Sequence, residues 1–189
     1  MLDKIIDSLN TDLNSLGYFN KLYCLCEKIK QGDKQYPAMA KGKSEWVQVS
    51  AFDKQGGTCY WRKRGNVSIN DSEVQAIPNQ LFIDVNYPLY LIACVNKKKL
   101  NNISPYTDEK LAIDIYKILT TNSNSTLRAN IGALRASVKV LEYNTIGHEV
   151  YEQEYDGVSD IDINYEFSYV SFNIDVVVTI KQSCLETVC

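Results

Sequence analysis

Residues 80–95 read QLFIDVNYPLYLIACV, and an apolar side chain stands at every odd position from Leu81 to Val95. A period of two is typical of a β-strand that turns one face to a core. Fully extended, this stretch would span about 50 Å, which is much longer than an ordinary strand. Because proline has no N–H to donate to a sheet, we expect a bend or bulge near Pro88.

A second stretch, residues 169–181, alternates in the same way. Its apolar residues fall on one side and mostly polar residues fall on the other; the apolar ones are Phe172, Ile174, Val176, Val178 and Ile180. One face should therefore be buried and the other wet. We predict that 80–95 and 169–181 belong to one antiparallel sheet.

Two segments have the three- and four-residue spacing of amphipathic helices. In residues 2–16 the apolar side chains form one stripe, Asn10 falls outside it, and Gly17 is the expected stop. Residues 108–119 follow Thr107, a suitable N-cap, and end before the polar stretch 120–125, which reads as a loop. One of these helices should cover the apolar face of the sheet.

The remaining segments are mostly strand-like. Residues 126–137 are ambiguous between helix and strand, and 138–143 with 149–155 predict a hairpin. Between the first helix and the long strand, four strands separated by short polar or glycine-containing turns predict an antiparallel meander: 21–30, 35–40, 45–51 and 58–66. The predicted fold is α+β and mainly antiparallel, a single domain over 1–189 with an elongated meander around 21–66.

Composition describes an ordinary globular protein. The 189 residues carry 20 Lys and Arg against 23 Asp and Glu, and 11% are aromatic, which excludes an acidic disordered chain. A chain of this length can bury one real core. No apolar run approaches 18 residues, so a membrane span is not expected, and the N-terminus does not have the pattern of a signal peptide. We expect a protein that stays where it is made.

Six cysteines form an even number, but nothing in the sequence indicates secretion, so reduced and mostly buried thiols are expected. The spacing of Cys24 and Cys26 predicts that both sulfurs lie on the same face of a strand. A zinc site would need a further close pair or nearby histidines, and His148 is the only histidine. We therefore predict no metal and no cofactor.

Charged residues are concentrated in separate segments. The basic clusters are Arg62, Lys63, Arg64 and Lys97, Lys98, Lys99, and residues 149–166 hold seven acids and no base, among them Glu152, Glu154 and Asp156. In a head-to-tail assembly an acidic segment of one subunit can meet a basic segment of the next, which makes these residues candidate contacts. Solvated turns of opposite sign explain the pattern equally well.

These charged residues are compatible with two other uses. The basic cluster beside Tyr60 and Trp61 could contact DNA, although a pI of 5.2 argues against nucleic acid as the main ligand. The acidic segment lacks the residue order of an EF-hand calcium loop. A small enzyme or ligand-binding domain that uses His148 with residues 149–166 is the alternative hypothesis, but no paired base and nucleophile is evident, so we predict no catalytic residues.

The order of elements carries a resemblance to a known family. The segments that carry it are 2–16, 81–91 (LFIDVNYPLYL), 108–119 (DEKLAIDIYKIL) and 169–176 (YVSFNIDV). In this order they resemble tail-terminator or tail-completion proteins of tailed bacteriophages. The composition, rich in Asn, Lys and Tyr and poor in Arg, is similar to that of neck proteins of crAss-like phages.

This resemblance implies a tail-terminator-like fold and a structural role in the virion, without catalysis or a cofactor. It implies a homo-oligomeric ring, of six or twelve copies, in the head-to-tail connector. The expected partners are other copies of the chain, the portal, adaptor and tail proteins, and DNA that passes through the lumen without sequence specificity. No membrane partner is implied.

Overall fold

The structure, a computed structural model, describes residues 1–32, 34–42, 45–49, 56–73, 80–100, 107–145 and 167–185. Within these residues the α-helices are α1 Leu2–Asn14, α2 Thr107–Lys117 and α3 Ser123–Ile131. The strands are β1 Lys21–Gln31, β2 Lys34–Gly42, β3 Glu45–Gln48, β4 Gly57–Lys63, β5 Ser68–Asp71, β6 Phe82–Asn96, β7 Arg135–Asn144 and β8 Phe167–Lys181.

The eight strands of the described residues form one sheet, in the order β3-β2-β1-β4-β6-β8-β7, and β5 pairs with β6 beside this path. Every pairing is antiparallel except that of β1 with β4. The predicted α+β class with a mainly antiparallel sheet is therefore confirmed, together with the N-terminal helix.

The centre of the sheet is the ladder between β6 and β8. Each strand has 15 residues, and the register runs without a shift from Phe82 opposite Lys181 to Asn96 opposite Phe167. The predicted pairing of these segments is confirmed. Leu81, which we expected on the apolar face, lies before the strand and is 73% exposed.

The predicted bulge at Pro88 is wrong. The carbonyl of Pro88 accepts a hydrogen bond of 3.0 Å from the backbone N–H of Arg64. In an antiparallel strand the nitrogen and oxygen of a residue point to the same side, so the proline nitrogen faces the gap between β4 and β5. The missing N–H removes one bond toward Arg64, where β4 ends, but none in the ladder with β8, and the register of that ladder continues without a shift.

Helices cover one face of this ladder. The stripe of α1 (Ile5, Ile6, Leu9 and Leu13) is fully buried against odd-numbered β6 residues and even-numbered β8 residues, and Leu111 and Ile115 of α2 join the same core. The prediction that a helix covers this face is confirmed. On the opposite face, a smaller apolar cluster lies at one end: Cys26, Val49, Tyr60, Ile92, Cys94, Phe167 and Tyr169.

The predicted meander holds only for its first three strands. β1, β2 and β3 pair in antiparallel order, but β4 runs parallel to β1, with Lys21 opposite Thr58, and sits between β1 and β6. Gly56 and Gly57 are therefore not a hairpin turn between neighbouring strands. A Cβ on Gly57 would lie 2.5 Å from the Tyr18 carbonyl oxygen, so glycine permits the close approach.

The helical region is longer than predicted. α2 continues through a π-helical turn, Ile118–Asn122, into α3, so the expected loop at 120–125 has a helical backbone. Buried Leu119 and Leu127 anchor the helical run on both sides of the polar stretch. Gly132, at φ 66°, follows α3, and β7 begins at Arg135. The partner strand predicted at 149–155 lies outside the described residues; β7 pairs with β8.

A β-bulge in β1 overturns the prediction for Cys24 and Cys26. The register with β4 shifts by one residue between Leu22 and Leu25. Cys24 consequently packs on the helix-covered side, where its Sγ lies 3.7 Å from Asp7 Oδ1, whereas Cys26 belongs to the cluster on the opposite face. One additional residue in a strand inverts the alternation that follows it.

Candidate contact surfaces and clefts

The basic cluster at the end of β4 does not form a uniform patch. Arg64 makes an ion pair of 2.6 Å with Asp175 of β8, and the two side chains are only 28% and 20% exposed. Alternation along the strand places Arg62 and Arg64 on one face and Lys63 on the other. The charge of Arg64 is thus largely neutralised within the chain.

The second basic cluster lies at the other end of β4. Lys97, Lys98 and Lys99 belong to a short 3-10 turn after β6. Lys97 is half-buried and Lys98 is exposed, whereas the Lys99 side chain is not among the described side chains. Gly57 pairs with Val95 and Lys63 pairs with Leu89, so β4 separates the clusters by about 20 Å. They are two sites, not one.

The acidic candidates Glu152, Glu154 and Asp156, and also His148, lie outside the described residues. Their pairing with the basic clusters, and the alternative site built on His148, stay predictions. Within the described residues, no group of three or more His, Cys, Asp or Glu side chains is placed to hold a metal ion. None of the described helices combines the length and the apolar character needed to cross a membrane.

The cysteines of the described strands are free thiols in environments that disfavour ionisation. Burial, with a smaller contribution from Cys24, raises the pKa of Cys26 to about 12. Burial also raises the pKa of Cys59 and of Cys94, which lie in neighbouring strands. At neutral pH these three thiols stay protonated and are poor nucleophiles.

A polar network joins the end of α1 to α2. The Tyr18 hydroxyl donates to Asp114 Oδ2 at 2.7 Å and accepts from Lys110 Nζ at 2.8 Å, and Lys110 also donates to Asp114 at 2.9 Å. The bonds to Tyr18 and Asp114 raise the pKa of Lys110. Burial alone would raise the pKa of Asp114, but the bonds from Lys110 and Tyr18 outweigh it and the pKa is lowered.

We expect Tyr18→Phe to lower the free energy of unfolding by about 1 kcal/mol, because two hydrogen bonds to charged groups are lost at a partly exposed site. Because the pKa of Asp114 is lowered in the folded state, its carboxylate contributes fully to the free energy of unfolding above the unfolded-state pKa. This contribution is lost as the pH falls through the folded-state pKa. Because the pKa of Lys110 is raised in the folded state, its ammonium group contributes fully to the free energy of unfolding below about pH 10.5. This contribution is lost as the pH rises through the folded-state pKa. Urea unfolding should therefore show the Tyr18→Phe deficit at neutral pH and a smaller deficit near pH 2; a deficit independent of pH would contradict this network.

In the part of the chain that the structure describes, charged residues line two open clefts. One, with a volume of about 310 Å³, lies between β1 and β4 and is lined by Leu25, Cys26, Glu27, Lys28, Arg62 and Lys63. The other, about 490 Å³ and here named the β7 cleft, is lined by residues of α3, β6, β7 and β8, among them Asp84, Arg128, Arg135 and Thr179. Sequence reasoning missed Arg128 and Arg135, which are isolated charges in the sequence and are brought to one cleft only by the turn at Gly132.

Large apolar side chains are exposed at both flanks of the sheet. Trp46 of β3, at one end of the strand order, is 43% exposed. At the other end, Leu141 and Tyr143 of β7 are 41% and 54% exposed, and the Tyr143 ring stacks on Phe172 with centroids 5.8 Å apart. The two flanks therefore present different apolar surfaces.

Comparison with protein-family models gives no match for the chain, and no curated protein sequence is significantly similar to it.

Proposed function

We propose that this protein is a non-enzymatic structural subunit of the head-to-tail connector of a tailed bacteriophage. Copies of it form a closed ring in the neck of the virion, join the portal and adaptor to the tail, and help to gate or seal the DNA channel. The order of its elements, similar to that of tail-terminator proteins, is one support for this role.

The observation that carries the proposal is the exposure of large apolar side chains at opposite flanks of the sheet. A ring of identical subunits needs two different surfaces on each subunit, because every copy contacts its two neighbours through different faces. Trp46 on the β3 flank and Leu141 on the β7 flank supply such a pair of surfaces. Aromatic side chains are also enriched at the centres of protein interfaces.

The geometry changes how the charge clusters enter this proposal. Reversing Arg62, Lys63 and Arg64 together would break the internal ion pair of Arg64 with Asp175, so the subunit itself would be destabilised. Lys63 is exposed, so a substitution of Lys63 alone can test an electrostatic contact without breaking the Arg64–Asp175 pair. The apolar flanks give the larger expected effect, because burying apolar area stabilises an interface more than a screened surface pair does.

We expect native mass spectrometry of the wild type to give a closed ring, and either Trp46→Glu or Leu141→Glu to give monomers. A mixture of the two variants is expected to give a dimer and no larger species. The Trp46 variant keeps an intact β7 flank, and the Leu141 variant keeps an intact β3 flank. These two flanks can form one interface, and the altered flanks at the outer ends of the dimer prevent a third copy from binding.

Ile113→Glu is the matched control, because Ile113 is 50% exposed and belongs to α2, not to the flank strands β3 and β7. This variant should still form rings. A wild type that stays monomeric in the presence of its virion partners would contradict the proposed ring. Dissociation by the Ile113 variant to the same degree would contradict the assignment of the contacts to the flanks.

A further inference from the structure

We propose that the β7 cleft binds an oxyanion, as a phosphate or carboxylate group of a small ligand. This site goes beyond the ring role and does not depend on it. Three strands form its floor: Arg135 of β7 lies opposite Thr179 of β8, and Thr179 lies opposite Asp84 of β6. These three residues thus form one row across the sheet, on the face that the helices leave open.

Two guanidinium groups line this cleft from different elements. Arg135 stands at the start of β7, and Arg128 reaches the cleft from the last turn of α3. Among the described residues, neither arginine makes an ion pair at 4.0 Å or less. Planar guanidinium groups bind phosphate and carboxylate through paired N–H donors, and two of them facing one cleft form a site for an anion.

The polar groups on the floor define the neighbourhood of the anion. The Thr179 hydroxyl donates to Asp84 Oδ1 at 2.6 Å, which leaves the Thr179 oxygen to accept a bond and fixes the carboxylate on the side of β6. Ser137, which also lines the cleft, supplies a hydroxyl that can donate to the anion. The anion should therefore sit toward β7 and α3, away from Asp84.

The remaining carboxylate oxygen of Asp84 accepts hydrogen bonds and repels anions. The complete ligand therefore carries an oxyanion at one end and a hydrogen-bond donor, such as a hydroxyl or amine, close to it. A volume of about 490 Å³ falls within the range of small-molecule sites, so a metabolite-sized ligand fits.

The test is isothermal titration calorimetry of the full chain with inorganic phosphate and, separately, with malonate, at about 0.01 M ionic strength. Saturable binding is expected, and the anion that binds more tightly identifies the source as phosphate or carboxylate. Arg128→Gln and Arg135→Gln should each weaken binding of that anion by about tenfold or more, because each removes a charge-assisted donor.

Lys139→Gln is the matched control, since Lys139 is an exposed cation on the same face of β7 and does not line the cleft. It should change binding less than about twofold, because exposed charges outside the site are weak contributors. Asp84→Asn keeps an acceptor for Thr179 and removes the repulsion, so it should tighten binding several-fold.

Four results would overturn the site: wild type that binds neither anion saturably, full binding by either arginine variant, equal loss in the Lys139 variant, or no gain in the Asp84 variant. All four variants change side chains at the surface or at half-buried positions, so their urea unfolding should match that of the wild type. This comparison separates a lost site from a lost fold.

Discussion

Replacing Leu91 by Asp is expected to abolish soluble folded protein. Leu91 is fully buried at the middle of β6, where it pairs with Trp61 of β4 on one side and with Phe172 of β8 on the other. A carboxylate there has no partner, and an uncompensated buried charge costs several kcal/mol. Since domains of this size are stable by only about 5–15 kcal/mol, the folded state should not survive.

The control for this substitution is Leu81→Asp, which introduces the same charge ten residues earlier at a position that is 73% exposed. We expect it to leave the yield of soluble protein and the unfolding midpoint unchanged. Val176→Asp, at the buried position opposite Tyr87, should fail as Leu91→Asp does. Normal thermal unfolding by both buried variants would contradict the placement of this core.

Replacing Asn10 by Ala is expected to lower the free energy of unfolding by about 2–4 kcal/mol. Asn10 lies on α1 and is only 9% exposed. Its Oδ1 accepts a bond of 2.7 Å from the indole Nε1 of Trp61, and its Nδ2 donates to the Tyr23 carbonyl at 3.3 Å. Alanine leaves the buried indole N–H without that acceptor, which costs the desolvation energy of the donor.

Urea unfolding measures this loss, and Asn14→Ala, an exposed substitution on the same helix, should lie within about 0.5 kcal/mol of the wild type. Trp61→Phe removes the donor, so the double variant with Asn10→Ala should be more stable than the sum of the single losses implies, by about 1 kcal/mol. Strict additivity would show that the Asn10–Trp61 bond contributes nothing.

Local patterns were enough to predict much of the scaffold. The alternation in 80–95 and 169–181 predicted two strands with one buried face, because a period of two leaves no other way to cover so much apolar surface. The apolar stripe of α1 predicted the helix that covers it. Asn10 lies beside that stripe in sequence, but in the fold it accepts a hydrogen bond from the indole of Trp61, and this pairing joins residues that are 51 positions apart.

The predictions that the structure contradicts concern features of a strand that depend on the neighbouring strand. Pro88 suggested a bulge, yet it sits in an unbroken strand because its nitrogen faces the gap between β4 and β5. Strand alternation predicts Cys24 and Cys26 on one face, and the bulge opposite β4 separates them. Neither the gap nor the bulge has a local signal, because both result from pairing between distant segments.

The candidate sites follow the same division. Sequence alone marked Arg62, Lys63 and Arg64 as a cluster, but only the structure shows that Arg64 is held by Asp175, a residue 111 positions later. Arg128 and Arg135 were unremarkable in the sequence and line one cleft in the fold. The sequence shows how many charged groups there are, whereas a binding site depends on which of them face one another in the fold.

The sequence by itself determined the α+β class, the long central strands and the covering helix, since hydrophobic periodicity is a property of adjacent residues. Tertiary structure decided the place of β4 between β1 and β6, the commitment of Arg64 to an internal ion pair and the assembly of the β7 cleft. These features depend on register and strand order, which are set by the joint packing of segments far apart in the chain and have no periodic signature of their own.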